Sequence, residues 1–403
     1  MKEILKAYKY RLKPNEEQKV LLNKHFGVCR FLYNYFLNQK KTQYKETSKS
    51  DNYKKQAKSL TELKKQPEFA WLKEVNSQSQ QAALKNLDTA YQRFFDHISD
   101  YPKFKKKKNK NSFNIPQFVT IIDEDKVCFP KFKEGIKFIN HRPFKGQIRN
   151  ATISKDACGN YFVSFLVCVH YESYEPTGKS VGVDLGIKDL AITSDGVKYE
   201  NFKFFNKYKS KLAKAQRRLN KKQKGSNQYE KQKLIVAKIH RKIANARKDN
   251  LHKITTDLVK NYDLIVVENL KVKNMLKNRK LSRHISDCAW GTFVSYLEYK
   301  AKWNDKQIVK IGTFFPSSKT CSQCGWINKE LELSDREWVC KSCGCVHDRD
   351  LNASINILNE GIKILNSVGT TDYANGGVIN PEDTLVDSYE VRNPWVFSSG
   401  VVH

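Results

Sequence analysis

Four cysteines, in Cys321-Ser-Gln-Cys324 and Cys340-Lys-Ser-Cys343, constrain this chain more tightly than any other feature. Their spacing is C-x2-C-x15-C-x2-C. Each C-x2-C pair turns two thiolates toward one point from a tight knuckle, and two knuckles complete a tetrahedral four-sulfur shell. Gly325 and Gly344 follow the pairs, where a knuckle turn needs a residue without steric limits on φ. The pattern predicts a zinc ribbon over residues 315–346 with a structural Zn²⁺ on Cys321, Cys324, Cys340 and Cys343. Four thiolates leave no open position for water, which argues against a catalytic zinc. Cys345 and His347 lie close enough in sequence to be alternative ligands, although the spacing favours the outer pairs. The other five cysteines (Cys29, Cys128, Cys158, Cys168 and Cys288) are scattered singly, which suits buried thiols in a reducing compartment rather than a disulfide framework.

Charge narrows the partner. The 403 residues carry 73 Lys+Arg against 42 Asp+Glu, a formal net charge of +31. Such an excess needs a polyanion, and nucleic acid is the default. The chain is no disordered polycation, because 39% hydrophobic and 12% aromatic residues can bury a core, and its length suggests two to four domains. No apolar run approaches the roughly 18–20 residues that span a bilayer. Lys2, Glu3, Lys6 and Lys9 interrupt any signal-peptide core, so a cytoplasmic protein is expected. Residues 366–403 run against the trend. Asp372, Glu382, Asp383, Asp387 and Glu390 face only Arg392, which predicts an acidic, disordered tail and leaves +35 on residues 1–365.

The chain opens on a strand, with Tyr8, Tyr10 and Leu12 alternating with Lys9, Arg11 and Lys13. Asn15 then caps a helix, with Gln18 as its capping-box partner, and a second helix spans about Gln78–Phe95. The basic run from Lys103 to Lys110 supplies candidate phosphate contacts at Lys103, Lys105, Lys106, Lys107 and Lys108, and Arg349 is a further candidate. Residues 112–169 read as a small antiparallel β unit, with Ala157-Cys158-Gly159-Asn160 turning between Ile148–Ser154 and Tyr161–Val169. Pro176-Thr177-Gly178 marks a boundary. A hairpin (Val181–Leu185, Leu190–Thr193) follows, then a basic helical region over 202–260 broken at Gly225-Ser226-Asn227. A buried strand Leu264–Val267, a helix Trp290–Trp303, a strand Ile308–Thr313 and a last amphipathic helix Leu351–Leu365 complete the order, without internal repeats.

Three carboxylates stand in places that acids avoid. Asp184 sits in the apolar strand Val181-Gly-Val-Asp184, Glu268 ends Leu264-Ile-Val-Val-Glu268, and Asp350 precedes the last helix. Burying an unpaired carboxylate costs about 1–3 kcal/mol even on lenient scales. Singly, Asp184 and Glu268 read as salt-bridge partners and Asp350 as a helix N-cap. Together, a strand Asp, a second-strand Glu and a helix-start Asp form the set with which an RNase H-like nuclease holds two Mg²⁺ ions. Neither a Ser-His-Asp set nor a G-x4-G-K-S/T phosphate loop appears.

Val-Gly-Val-Asp184-Leu-Gly-Ile-Lys-Asp-Leu-Ala, Val-Val-Glu268-Asn-Leu, the four-cysteine ribbon and Asp-Arg-Asp350-Leu-Asn-Ala-Ser-Ile-Asn-Ile resemble the RuvC-type core of the TnpB family. Tyr-Arg-Leu-Lys-Pro-Asn near the start, Tyr101-Pro-Lys-Phe-Lys-Lys-Lys and Ile285-Ser-Asp…Trp290-Gly extend the resemblance over about residues 1–358. The family consists of transposon-encoded, RNA-guided DNA endonucleases related to type V CRISPR effectors. The resemblance implies catalytic roles for Asp184, Glu268 and Asp350, with Asp348 the lesser candidate. It implies an α/β plus β-barrel fold: a wedge-like barrel with an inserted helical recognition domain (residues 1–175, helices about 15–100), then an RNase H-like (RuvC) core over 176–314 and 347–365, interrupted by the zinc ribbon. The implied partners are a guide RNA from the transposon end and double-stranded target DNA beside a short adjacent motif, with guide pairing reading the sequence. Cys345 and the acidic tail depart from the family pattern. A nuclease-silent, RNA-guided repressor and an autonomous transposase are the alternatives.

Overall fold

The computed structural model describes residues 1–107, 111–332, 334–368 and a short strand at 378–379. The disordered tail expected over 366–403 thus lies almost wholly outside the described residues. The chain divides into two compact units, residues 1–171 and 172–403.

The first unit runs β1 (Lys2–Lys13), α1 (Glu16–Thr47), α2 (Tyr53–Leu63), a 3₁₀ segment Pro67–Glu74, α3 (Ser77–Phe95), then β2 (Asn111–Ile115), β3 (Thr120–Asp123), β4 (Lys126–Phe129), β5 (Phe132–Ile139), β6 (Gln147–Lys155) and β7 (Tyr161–Tyr171). Alternation in β1 does what a period of two dictates: Tyr8, Tyr10 and Leu12 are buried while Lys9, Arg11 and Lys13 are exposed. The capping box forms as expected. Asn15 Oδ1 accepts from the Gln18 amide at 2.8 Å, and Gln18 Oε1 accepts from the Asn15 amide at 3.1 Å. The sheet order is β2-β6-β7-β1-β5-β4-β3, with β1 paired to β7 from Lys2↔Tyr171 to Leu12↔Tyr161. Every pairing is antiparallel. Among the described residues β2 and β3 do not pair with each other, so the expected barrel stands here as a seven-stranded sheet without hydrogen-bonded closure. The helices share a separate core of Leu32, Phe36, Leu60, Leu72, Leu84 and Leu87 among others.

The second unit contains β8 (Ser180–Asp184), β9 (Asp189–Thr193), β10 (Lys198–Glu200), α4 (Phe204–Asn220), α5 (Asn227–Asn261), β11 (Leu264–Glu268), α6 (Val272–Met275), α7 (Ser282–Cys288), α8 (Trp290–Trp303), β12 (Gln307–Ile311), β13 (Glu337–Val339), β14 (Val346–Asp348), α9 (Arg349–Val368) and β15 (Val378–Ile379). Its sheet is ordered β10-β9-β8-β11-β12-β15. The first three strands form an antiparallel meander; β11 runs parallel to β8, β12 to β11 and β15 to β12. Ser226 caps α5 by accepting from the Tyr229 amide, and Gly225, at φ +88°, makes the break that separates it from α4.

Residue parity assigns the two faces of this sheet. Val181, Val183, Ile265, Val267 and Ile308 share one core with Leu251, Ile254 and Leu258 of α5 and Phe293 and Leu297 of α8. Val266, Val309 and Ile311 point the other way and pack with Ile357 of α9. Two glycines set how closely α9 approaches. A Cβ on Gly182 of β8 would lie 2.1 Å from the Ser354 carbonyl oxygen and 2.6 Å from the Leu358 nitrogen. A Cβ on Gly361 of α9 would lie 2.4 Å from both γ-carbons of Val266. Backbone meets backbone at the first position, so no rotamer change can relieve a clash. Gly182→Ala is expected to destabilise the protein by about 3 kcal/mol, the upper range for overpacking, as a lowered denaturation midpoint in urea.

Candidate functional site

The parity that places Gly182 and Val266 under α9 places Asp184 and Glu268 on that same face, two residues further along each strand. The parallel register pairs Val183 with Val267, so the next residues, Asp184 and Glu268, stand side by side where β8 and β11 end. Asp350 lies in the first turn of α9 and completes the group. Its approach is electrostatically visible at Asp184. Burial pushes the Asp184 carboxyl well above the usual carboxylate range, and the charges of Glu268 and Asp350 push it further. Arg349 and the Leu185 amide oppose the shift without cancelling it. Burial also raises Glu268, against the Ser317 hydroxyl, which donates to Glu268 Oε1 at 3.0 Å. Nearby compensation is modest: Arg336 Nη1 stands 3.5 Å from Asp350 Oδ2.

Desolvated like charges of this kind attract divalent cations with hard oxygen preferences, and Mg²⁺ suits carboxylate oxygens plus retained waters. The N-cap role that Asp350 would have if read alone falls to its neighbour. Asp348 Oδ1 accepts from the amides of Asp350 and Leu351, each at 3.0 Å, so Asp348 caps α9 and leaves the Asp350 carboxylate to the cluster.

The four cysteines form the second centre. The sulfurs of Cys321, Cys324, Cys340 and Cys343 all lie within 4.8 Å of one another. Two of the separations, Cys321–Cys343 and Cys324–Cys340, are 3.6 Å. A tetrahedron with Zn–S bonds of about 2.3 Å has edges of about 3.8 Å, so the donor set fits a structural zinc. The two knuckles share one hydrogen-bond pattern. Gly325 and Gly344, both at positive φ, donate to the Cys321 and Cys340 carbonyls at 2.9 Å, while the Cys321 and Cys340 amides donate to Trp326 and Cys345 at 2.8 Å. Cys345 therefore serves through its backbone. His347 is a neighbour of the set: its Nε2 lies 3.1 Å from Cys321 Sγ and its ring packs on Trp338.

The predicted phosphate contacts divide. Lys106 and Lys107 are exposed, and Lys103 stands 3.8 Å from Asp100. Lys105 turns its ammonium 3.8 Å above the Tyr33 ring, and Asn34 clamps its backbone through two hydrogen bonds of 2.9 and 2.7 Å. Lys105 thus has an internal role that sequence did not reveal. Lys108 lies outside the described residues. Arg349 Nη1 donates to the Glu332 and Asp335 carbonyls of the ribbon at 3.0 and 3.4 Å, which gives that guanidinium an internal role too. Sequence reasoning missed Ser317 altogether; a small polar residue four positions before the first zinc cysteine was the available signal. No described helix is long and apolar enough to cross a membrane.

The second unit is therefore a mixed α/β domain that sets two strand-end carboxylates on one sheet face, with a third on the helix covering that face, and carries a four-cysteine ribbon. Family profiles described as "Probable transposase", "Cas12f1-like, TNB domain" and "Helix-turn-helix domain" match residues 164–279, 290–357 and 1–49. The last span is built here as β1 and the single helix α1, not as a helix-turn-helix. Relatives from Streptomyces pristinaespiralis (38% identical over 90% of this chain and 90% of the relative) and Escherichia coli K12 (34% over 90% and 93%) both carry the name "Putative RNA-guided DNA endonuclease". A mimivirus "TnpB-like protein" is 33% identical over 32% of this chain and 25% of its own. A solved Cas12f1–sgRNA–target DNA complex aligns over 88% of this chain and 99% of that one at 15% identity, with a TM-score of 0.35, too low to bear on the fold. The chain belongs to the TnpB family.

Two outcomes are expected. Purified protein should carry one zinc per chain, and Cys321→Ser or Cys340→Ser should lose it, by elemental analysis. Because Asp184 and Glu268 hold protons above the ordinary carboxylate range, the native state binds more protons than the unfolded state there, and stability falls as pH rises through that window. Without added divalent ions, Asp184→Asn should melt higher than wild type at pH 8, by a few degrees, with the gap closing toward pH 4.

Proposed function

We propose that this protein is an RNA-guided endonuclease that cleaves double-stranded DNA beside a short transposon-adjacent motif, with Asp184, Glu268 and Asp350 as its catalytic acids. The observation that carries the reading is the approach of the three carboxylates on the α9 side of the sheet, where burial, and then the charges of Glu268 and Asp350, raise Asp184. A meander of three antiparallel strands followed by parallel strands supports an RNase H-like, RuvC-type core. Two relatives of similar length bear the RNA-guided DNA endonuclease name, which supports the substrate and the guide.

Asp184 and Glu268 would hold divalent metal from adjacent strand ends, and Asp350 would close the site from the helix. Two Mg²⁺ ions held there would supply activation of the attacking water and stabilisation of the leaving oxygen. Ser317 orients Glu268 by occupying Oε1, and Asp348, engaged with the helix amides, keeps its own carboxylate out of the site. The +31 excess fits an RNA scaffold together with a guide–target duplex, the guide being derived from the transposon end.

The test is cleavage of a plasmid library with a randomised flanking motif by the ribonucleoprotein assembled on RNA that co-purifies with the chain. Mg²⁺-dependent cutting next to one motif is expected. Asp184→Ala, Glu268→Ala and Asp350→Ala should each lower the rate about a thousandfold or more, the equivalent of several kcal/mol, while retaining RNA binding. Tight binding by wild type without cutting would mean a repressor. Strand transfer of transposon ends without RNA would support the "Probable transposase" description instead.

A further inference from the structure

Helix α9 bears on the carboxylate site twice: directly through Asp350, and indirectly through two asparagines two and six residues further along the helix. Asn352 and Asn356 are 2% and 5% exposed, and Ser317 is 6% exposed. Asn356 Nδ2 donates to the Ser317 carbonyl at 2.8 Å and to the Thr320 carbonyl at 2.6 Å. Asn352 Nδ2 donates to the same Thr320 carbonyl at 2.7 Å, while its Oδ1 accepts from the Ser322 amide at 3.0 Å, between the zinc cysteines Cys321 and Cys324. Thr320 closes the loop on itself by donating through Oγ1 to Pro316 at 2.9 Å. Residues 316–322 are thus held at both ends by one face of one helix.

A buried carboxamide is costly unless it is satisfied, and here the N–H groups are spent on loop carbonyls rather than on a hydrophobic contact that would stabilise equally well. What the arrangement does that packing could not is set a position. The loop it holds carries Ser317, whose hydroxyl bonds Glu268 Oε1 at 3.0 Å and so restrains that carboxylate. Partners of this outer kind orient metal ligands, and their loss costs about 10–100-fold in metal affinity.

We propose that Ser317 and Asn356 are positioning residues for Glu268: Asn356, anchored on the helix that bears Asp350, fixes the Ser317 loop so that the Ser317 hydroxyl presents Glu268 to a divalent cation. Asn352 ties the first cysteine knuckle into the same clamp, so ribbon and carboxylate site share one hydrogen-bonded unit. The inference rests on the proposed metal role of Asp184, Glu268 and Asp350.

The experiment is Mn²⁺ titration of the full-length, zinc-loaded protein, read by electron paramagnetic resonance, with zinc content measured on every sample. Ser317→Ala and Asn356→Asp, which remove the hydroxyl and the amide donors, should each weaken Mn²⁺ about tenfold or more with one zinc retained. Ser317→Thr, which keeps a hydroxyl, should bind within threefold of wild type. Asp184→Ala is the control. Loss of Mn²⁺ in Asp184→Ala beside unchanged affinity in Ser317→Ala overturns the positioning role alone. Equal Mn²⁺ binding by wild type and Asp184→Ala overturns the metal reading of the carboxylates, and the positioning role with it.

Discussion

The approach of α9 to the sheet at Gly182 is the contact on which the rest of the second unit depends. A helix normally rests on a sheet through side chains. Here the missing Cβ lets the Ser354 carbonyl occupy the space a side chain would fill, and Gly361 repeats the accommodation over Val266 two turns later. That closeness fixes the height of α9 over β8 and β11. Because Asp184 and Glu268 lie two residues beyond Gly182 and Val266, the same contact sets how near Asp350 comes to them.

The consequence is an electrostatic conflict that folding creates and does not resolve. Asp184 and Glu268 are poorly solvated and Asp350 adds its charge at Asp184, with Arg349 and Arg336 as partial compensation. A protein under selection for stability alone would replace such a group with apolar residues, since buried charges rarely repay their desolvation. Two other acids of the same unit are well paired. Asp287 binds Arg247 at 2.6 Å and the Phe205 amide at 3.0 Å, and Asp263 receives Lys306 together with the amides of Thr177 and Gly178. The contrast marks the cluster at Asp184 as a place where stability is given up, as the proposed cation role would require.

The ribbon is joined to this corner through backbone as well as side chains. Arg349 reaches back to ribbon carbonyls, the Arg349 amide bonds Arg336, and the α9 asparagines hold the approach to the first knuckle. A module that looks separable in sequence, an insertion between β12 and α9, is thereby built into the walls of the site.

Much was legible before any coordinates. Alternation in β1, the Asn15 capping box, the hairpin at Cys158-Gly159 and the break at Gly225 are local, and local chemistry reports them faithfully. The cysteine spacing is equally local, because a knuckle is a turn and its sulfurs converge wherever it folds. The three acids were legible for another reason: a carboxylate in an apolar strand contradicts its surroundings, and the contradiction itself is the signal. What the sequence could not determine depends on residues distant along the chain. That Asp348 caps α9 while Asp350 joins the cluster is decided by one turn of helix geometry. That the Lys105 ammonium lies over the Tyr33 ring is decided by a helix some 70 residues earlier. The barrel, read from resemblance, met a sheet whose ends do not pair among the described residues. Sequence alone thus determined which chemical groups this protein possesses and on which elements they ride, since periodicity and spacing are properties of neighbours. Only the tertiary structure decided which groups meet: strand register sets Asp184 beside Glu268, and how closely a helix can press on a glycine sets how near Asp350 comes to them.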